Sequence, residues 1–317
     1  MTENQVKVAG QWQKAKRKLP EKPGKWIGEM AGRALEEEAL TTIKPGLVDA
    51  FSTGAHKDMD LEMFLRSAKV LEPYFVVMAH LGERYCASPR YLFRLIRQVG
   101  LEAEKVMYEA TGGVNTHKGA IFTIGILSAA AGACAAEAGF IDVDLWIEIE
   151  LAMVRDILMK ELGELLGRGF FNGWNGTHGE WNLVRYGSLG VRGEAAFGYP
   201  SVTELALPVL REGRIQGRDW NRVKLQALFT LMSQVEDGNV LSRAGRDGLR
   251  EVQQTAADFL KHGGAYGPDA RRCLAQMDRE FIRKNYSCGG CADLLAAAIF
   301  MNLLERGNVS EDSGEEL

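Results

Sequence analysis

Most residues that could do chemistry lie in five glycine-containing segments of the sequence. These segments are 44–60, 111–119, 187–200, 236–245 and 287–293. A turn between helices usually needs only a capping residue and a glycine, whereas these segments carry ionisable groups of both signs. We therefore expect the five segments to form a binding site.

The residue types favour the binding of a polyanion together with a divalent cation. Most of the segments precede a predicted helix, and the N–H groups and dipole of a helix N-terminus attract phosphate. In 111–119 the glycines allow a close approach of the backbone to a ligand, and Lys118 supplies a positive charge. Asp58 and Asp60 flank a predicted helix start, and carboxylates suit a Mg²⁺ ion that bridges phosphate oxygens.

Several of these residues also have a purely structural interpretation. Asp60 is a favoured N-cap for the helix that follows it, and Thr116 is a second candidate cap. A single histidine, such as His56 or His117, is more often a structural hydrogen-bonding residue than a catalyst. Segment 111–119 is not a Walker A motif, because His117 stands where that motif has its second glycine.

Helical periodicity dominates the remaining sequence. Apolar residues recur with a 3.6-residue period, while runs with strand-like alternation are nearly absent. We predict an all-α fold of about ten or more helices in a single compact domain, with the glycine-rich polar loops at helix N-termini forming the site. The clearest helices are predicted at 60–85, 145–169, 222–235, 271–285 and 291–307.

The two ends of the chain have a different composition. Residues 1–25 are basic and are predicted to be a weakly ordered arm, and residues 308–317 are predicted to be an acidic, disordered tail. The domain itself is predicted to span residues 26–307.

Composition excludes several function classes. The 317 residues carry a net charge of -4, which does not favour nucleic-acid binding. The N-terminus lacks the apolar segment of a signal peptide, and five cysteines in a chain of this length do not indicate a disulfide scaffold. The uncharged stretch 119–136 consists mostly of small residues, which favours a core helix over a membrane span. We expect a cytoplasmic protein with reduced thiols.

The polar segments resemble, in order and spacing, those of the triphosphoribosyl-dephospho-coenzyme A synthase family. The stretches that carry the resemblance run from about residue 28 to 305: KPGLVD with GAHKDMD, GGVNTHKGAIF, VRGEAAFGYPSV, DGNVLSRAG and SCGGCADLL. Ala50 and Ser52 stand where the family often has Arg and Asn. Cys288 and Cys291 stand where the family has Pro and Ser, so their C-x-x-C spacing is not expected to serve metal binding or redox chemistry.

The resemblance implies a reaction that joins ATP to 3'-dephospho-coenzyme A. The 2'-hydroxyl of the acceptor ribose attacks C1 of the ATP ribose, adenine leaves, and the triphosphate stays on the product. The product is the precursor of the prosthetic group of citrate lyase or malonate decarboxylase, and the carrier-protein transferase that uses this product is therefore a candidate partner. Neither a nucleic acid nor a membrane is an expected partner.

Residue roles follow from the resemblance and from the oxocarbenium-like transition state of glycosidic cleavage. Catalytic candidates are Glu194 as the carboxylate at the reacting ribose, with His117 or His56 trading protons. The expected Mg²⁺ ligands are Asp58, Asp237 and Asp49. Substrate-binding residues are expected to be Lys44, Lys57, Asn115, Thr116, Lys118, Arg192, Asn239 and Arg243.

Two alternatives stay open at the level of sequence. One is a Mg²⁺-dependent hydrolase of a nucleotide or ADP-ribose-type glycosidic bond, with water as the nucleophile. The other is a non-catalytic nucleotide-binding descendant, for which the residues at positions 50 and 52 are the only indication.

Overall fold

The computed structural model describes residues 19–168 and 176–307, which form twelve α-helices and no β-strand. The helices are α1 Pro23–Ala39, α2 Leu61–Tyr85, α3 Pro89–Ala110, α4 Lys118–Ala138, α5 Val143–Arg168, α6 His178–Tyr186, α7 Gly190–Ala196, α8 Leu207–Ile215, α9 Trp220–Gln234, α10 Gly238–Lys261, α11 Ala270–Lys284 and α12 Gly289–Arg306. A π-helical turn, Ser201–Ala206, precedes α8. The all-α prediction is confirmed.

Helix α4 is a central element of the core. It is long and apolar enough to cross a membrane, yet 83% of its most apolar window is buried inside the protein. Small residues allow this burial, because they let helix backbones cross closely. A Cβ added at Gly132 would lie 2.1 Å from the carbonyl oxygen of Ala79 on α2, and one added at Gly82 would lie 2.0 Å from that of Ala129.

Helix α12 is the second buried element, and its positions 294–304 are almost all inaccessible to solvent. It packs against α1, α4, α8 and α9. Because α4 and α12 are both held along their length by the core, their N-termini are fixed in position. The polar segments that precede them are therefore carried on a rigid frame.

Local signals in the sequence located some of the helix ends. Asp60 is the N-cap of α2, as expected, and its carboxylate accepts a hydrogen bond from the backbone N–H of Met63 at 2.8 Å. Gly307 ends α12 with a positive φ of 67°. The expectation that Thr116 caps α4 is wrong, because its hydroxyl donates to the Ser67 hydroxyl, while Asn115 accepts the N–H of Lys118.

The predicted domain division stays a prediction, and the first helix bears only on where the arm ends. Helix α1 begins at Pro23, so the last three residues of the predicted N-terminal arm are helical. Residues 1–18 and the tail predicted at 308–317 lie outside the described residues.

Candidate active site

The N-termini of α10 and α12 are joined by one buried carboxylate, that of Asp237. Its Oδ1 accepts the backbone N–H groups of Asn239 and Val240 at 2.9 and 3.1 Å, which caps α10. Its Oδ2 accepts the N–H of Cys291, in the first turn of α12, at 2.8 Å. Burial raises the pKa of Asp237, and these N–H groups act in the opposite direction.

Asp293 connects α12 to the N-terminus of α4. A Cβ added at Gly119 would lie 2.0 Å from Oδ2 of Asp293, so glycine at this position makes room for the carboxyl group. Burial, followed by the negative charges of Glu38 and Asp237, raises the pKa of Asp293 well above its usual value. The raised pKa favours the protonated form of the Asp293 carboxyl group, which is the form that can donate a proton.

Three helix N-termini thus meet around two acidic residues. The first turns of α4, α10 and α12 present backbone N–H groups and the positive ends of three helix dipoles, an arrangement that attracts an anion. Gly289 and Gly290 leave room for the side chains of α10. A Cβ at Gly290 would lie 3.0 Å from Oδ2 of Asp237, and one at Gly289 would lie 2.3 Å from Nδ2 of Asn239. Asn239 is exposed beside this meeting point.

The loop between α1 and α2 is folded by two other carboxylates. Asp49 accepts the N–H groups of Lys44, Phe51 and Ser52 at 2.6 to 3.1 Å. Asp278 of α11 accepts the N–H of Gly46 and the hydroxyl of Ser52, both at 2.9 Å. Ser52 thereby helps to hold the loop.

Lys44 lies inside the protein and forms a buried ion pair. Its side chain is 2% exposed, and Nζ donates to Oε1 of Glu38 at 2.6 Å and to the carbonyl oxygen of the same residue at 2.8 Å. The ion pair acts on both Asp293 and His117. The charge of Glu38 raises the pKa of Asp293, and the charge of Lys44 lowers the pKa of His117. The predicted substrate contact of Lys44 has no support in this geometry.

His56 and Arg243 form a second polar group next to α12. Nε2 of His56 lies 2.9 Å from the hydroxyl of Ser287, just before α12. Arg243 is exposed and donates to the carbonyl oxygen of Ala55 and to Asn285, both at 3.2 Å. Burial and then the Arg243 charge lower the pKa of His56, which leaves a neutral imidazole that can accept a proton.

The segment before α4 carries two residues on the surface and one inside. Asn115 and Lys118 are exposed, and Nζ of Lys118 lies 2.8 Å from Oε2 of Glu104 on α3. His117 is 3% exposed, and its Nδ1 lies 2.8 Å from the Ser67 hydroxyl. Burial and then the charge of Lys44 lower the pKa of His117 to about 3. This buried, neutral ring is suited to positioning the loop rather than to contacting a substrate.

Glu194 and Arg192 also have partners within the protein. Both carboxylate oxygens of Glu194 contact Ser201: Oε1 accepts the hydroxyl at 2.6 Å and Oε2 the backbone N–H at 3.2 Å. Burial raises the pKa of Glu194, against the effect of these bonds. Arg192 lies 3.5 Å from Glu180 of α6, and Lys57 is exposed in the loop before α2.

The three carboxylates predicted to bind Mg²⁺ do not come together. Within residues 19–168 and 176–307, no three or more His, Cys, Asp or Glu side chains form a group that could hold a metal ion. Asp49 and Asp237 instead accept backbone N–H groups, and Asp58 is exposed. A site made of these three side chains does not fit the geometry.

Cys288 and Cys291 are free, fully buried thiols at the start of α12. Burial, with the charge of Asp237 adding to it, raises the pKa of both thiols well above the usual value. A protonated, enclosed thiol is a poor nucleophile and a poor metal ligand.

Asp293 and Ser287 both lie in the polar segment 287–293, but no catalytic or binding role was predicted for either residue from the sequence. The available signal was position: Asp293 follows the Gly-Gly pair by three residues, which is within the first turns of a helix. The sequence alone does not show that Gly119, 174 residues earlier, lies next to the Asp293 carboxyl group.

Comparison with known proteins gives matches over nearly all of the chain. A family model described as ATP:dephospho-CoA triphosphoribosyl transferase matches residues 24–312. Two relatives are named 2-(5''-triphosphoribosyl)-3'-dephosphocoenzyme-A synthase. The protein from Klebsiella pneumoniae is 39% identical over 87% of this chain and 89% of its own length. That from Escherichia fergusonii is 36% identical over 91% of this chain and 94% of its own length. No solved structure matches significantly.

Proposed function

The chain belongs to the ATP:dephospho-CoA triphosphoribosyl transferase family, and we propose that Asp293 is the acid that protonates the departing adenine. The enzyme is a triphosphoribosyl-dephospho-CoA synthase: it transfers the 5-triphosphoribosyl group of ATP to the 2'-hydroxyl of 3'-dephospho-CoA and releases adenine. No phosphoryl group moves, so the phosphates serve to hold the substrate.

The observation that carries the proposal is the contact between Asp293 and Gly119 at the meeting point of three helix N-termini. Cleavage of the glycosidic bond needs a proton on the leaving purine and a place for the triphosphate. A carboxyl group with a strongly raised pKa supplies the proton, and the N–H groups of the helix N-termini favour the triphosphate. Both requirements are therefore met within one small region.

The exposed cations next to this region are the proposed triphosphate and pyrophosphate contacts. They are Lys57, Lys118 and Arg243, and the partly buried Arg192, which is paired with Glu180, is a fourth proposed contact. Asn115 and Asn239 supply neutral donors and acceptors beside them. Thr116 is half-buried with its hydroxyl bonded to Ser67, so its proposed contribution is to position the loop.

His56 is the proposed base for the 2'-hydroxyl of the acceptor. Its ring is half-buried and neutral, and Ser287 fixes one of its nitrogens. Glu194, the catalytic candidate from sequence, has both oxygens bonded to Ser201. We therefore propose that Glu194 positions the backbone around the π-helical turn rather than contacting the ribose.

Mg²⁺ is proposed to enter with ATP, bound mainly through triphosphate oxygens, as is usual for this ion. No step of the mechanism above depends on a protein-held ion. The cytoplasmic location and the carrier-protein transferase as a partner likewise remain predictions from the sequence.

The test is adenine release, measured by chromatography with ATP and Mg²⁺, with and without 3'-dephospho-CoA. The synthase releases adenine only with the acceptor present, and a hydrolase would release it without. We expect Asp293→Asn to lower kcat by at least about 100-fold, the usual range for loss of a general acid, with little change in the KM for ATP. Wild-type turnover in Asp293→Asn would rule out the proposed acid.

A further inference from the structure

A second concentration of positive charge lies away from the active site, near the C-terminus of α12. It surrounds a cavity of about 370 Å³ lined by Arg214, Ile215, Gly217, Arg218, Trp220 and Arg306. The net charge of the chain is -4, so a cavity lined by three arginines is positive in a protein that is negative as a whole. The cavity volume falls in the range of small-ligand sites.

Two of these guanidinium groups are held rigidly. The guanidinium carbon of Arg214 lies 3.6 Å from the centre of the Trp220 ring, and its Nε donates to Oδ1 of Asn302 at 2.7 Å. Arg218 stacks on Tyr266 at 4.0 Å, and its Nε donates to Gln216 at 2.5 Å. Stacking together with an Nε bond fixes the plane of each group and leaves its two Nη nitrogens as the remaining donors.

These charges are poorly compensated by the protein. Neither Arg214 nor Arg218 forms an ion pair with any carboxylate of the described residues. Glu37, whose charge acts on Arg214, accepts hydrogen bonds from Trp220 and Arg33 instead. Burial and then the charge of Arg306 lower the pKa of Arg214 to about 10, which reports an unfavourable environment for a cation.

The cavity is separate from the proposed active site. Asn302, which holds Arg214, follows Asp293 by nine residues on α12, which is about 14 Å along the helix axis. The active-site residues described above, Asp237, Asp293 and His56, are not among the residues that line the cavity. One triphosphate bound at the helix N-termini does not account for this cavity.

We propose that the cavity around Arg214 and Arg218 is a binding site for a compact phosphate-type anion with two or more negative charges. Fixed guanidinium groups pair with phosphate oxygens through two parallel hydrogen bonds each. Several such groups around one cavity favour a multivalent anion, because a single carboxylate would be matched by one of them. An anion in the cavity would also offset the charge of Arg306, which lowers the pKa of Arg214.

Pyrophosphate is the probe for the test, with calorimetric titration of the full-length protein at constant ionic strength. The protein is saturated with ATP and with 2'-deoxy-3'-dephospho-CoA, an acceptor that lacks the attacking hydroxyl, so that both substrate positions of the active site are occupied. We expect about one equivalent of pyrophosphate to bind, and Arg218→Gln to weaken binding at least tenfold. Arg218 is exposed, so this variant is expected to fold, and its thermal unfolding checks that it does. Arg218→Lys keeps the charge but loses the paired donors. Its affinity for pyrophosphate is expected to lie between that of the wild type and that of Arg218→Gln.

Arg94→Gln is the matched control, because Arg94 is exposed on α3 and forms no ion pair among the described residues. Binding that weakens equally in Arg94→Gln and Arg218→Gln would show general charge attraction and overturn the proposal. Unchanged binding in Arg218→Gln would overturn it as well. Succinate at the same ionic strength tests the ligand class, and tighter binding of succinate than of pyrophosphate would refute a phosphate-type ligand.

Discussion

Oδ2 of Asp293 lies 2.0 Å from the position that a Cβ at residue 119 would occupy. The two residues begin different helices and lie 174 positions apart in the sequence. The absence of a side chain at Gly119 is therefore what allows the acid of α12 to reach the N-terminus of α4.

Gly119→Ala is expected to displace the Asp293 carboxyl group and to lower adenine release at least tenfold. Stability should change little, since alanine favours helix α4 by up to about 1 kcal/mol over glycine and the displaced group is half-buried. The measurements are kcat and the urea midpoint of unfolding. Gly163→Ala, in α5 with no atom within 4 Å of an added Cβ, is the control and should retain full activity. Normal turnover in Gly119→Ala would show that the Asp293 position is unimportant.

Asp237→Asn is expected to destabilise the protein by about 1–3 kcal/mol, the usual cost of an unsatisfied buried polar group. Asparagine keeps one acceptor oxygen but turns an NH₂ group toward N–H donors, either at α10 or at Cys291. The free energy of unfolding in urea measures the effect.

The control for this change is Asp60→Asn. Asp60 caps α2 through a single accepted N–H at an exposed position, and asparagine caps a helix about as well as aspartate. A loss in Asp237→Asn no larger than that in Asp60→Asn would contradict the bridging role.

The local and non-local parts of this structure differ in how well the sequence predicts them. Helix α2 was predictable because its cap, Asp60, and its apolar face lie within one segment. The bond from Asp237 to Cys291 was not, because it depends on how α10 and α12 pack. For the same reason Asp237 was expected to bind a metal ion and Glu194 to contact the ribose: residue type indicates a charge but not its partner. The placing of the site in the five polar segments stays a prediction, which rests on the fact that helix N-termini keep their properties wherever the helices pack.

Glu150 is expected to make stability fall as the pH rises. It is fully buried on α5, neither carboxyl oxygen has a hydrogen-bond partner among the described residues, and burial raises its pKa well above the usual value. Its neutral form is favoured in the folded protein, so folding costs progressively more as the pH rises from the unfolded pKa of about 4.3 toward the raised folded value.

Glu150→Gln removes that titration, so its free energy of unfolding should exceed that of the wild type at pH 8 by more than at pH 5. The slope of the difference should reach up to about 1.4 kcal/mol per pH unit. Urea unfolding at both pH values measures it. Glu148→Gln, two residues earlier and exposed, should show no such dependence. A constant difference between Glu150→Gln and the wild type would mean that Glu150 has a partner in solution.

Lys118 is expected to contact the triphosphate, because its position is otherwise unfavourable. It is the first residue of α4, where the helix dipole repels a cation, and Nζ is held by Glu104 of α3 at 2.8 Å. An anion bound at the N-terminus of α4 would reverse the sign of the local field. Lys118→Ala should then raise the KM for ATP about 10- to 100-fold, since a hydrogen bond to a charged group contributes about 1.5–3 kcal/mol.

Glu104→Gln separates the two roles of this ion pair. If Glu104 pairs with Lys118 only in the absence of ATP, Glu104→Gln removes that pairing and leaves the lysine available to the triphosphate. The KM for ATP should then stay unchanged or fall. Lys105→Ala, on the exposed surface of α3, controls for the loss of one positive charge and should leave the KM for ATP unaltered. Steady-state adenine release at varied ATP concentration gives all three values. An equal rise in KM in Lys118→Ala and Glu104→Gln would show that the ion pair, rather than a phosphate contact of Lys118, shapes the site.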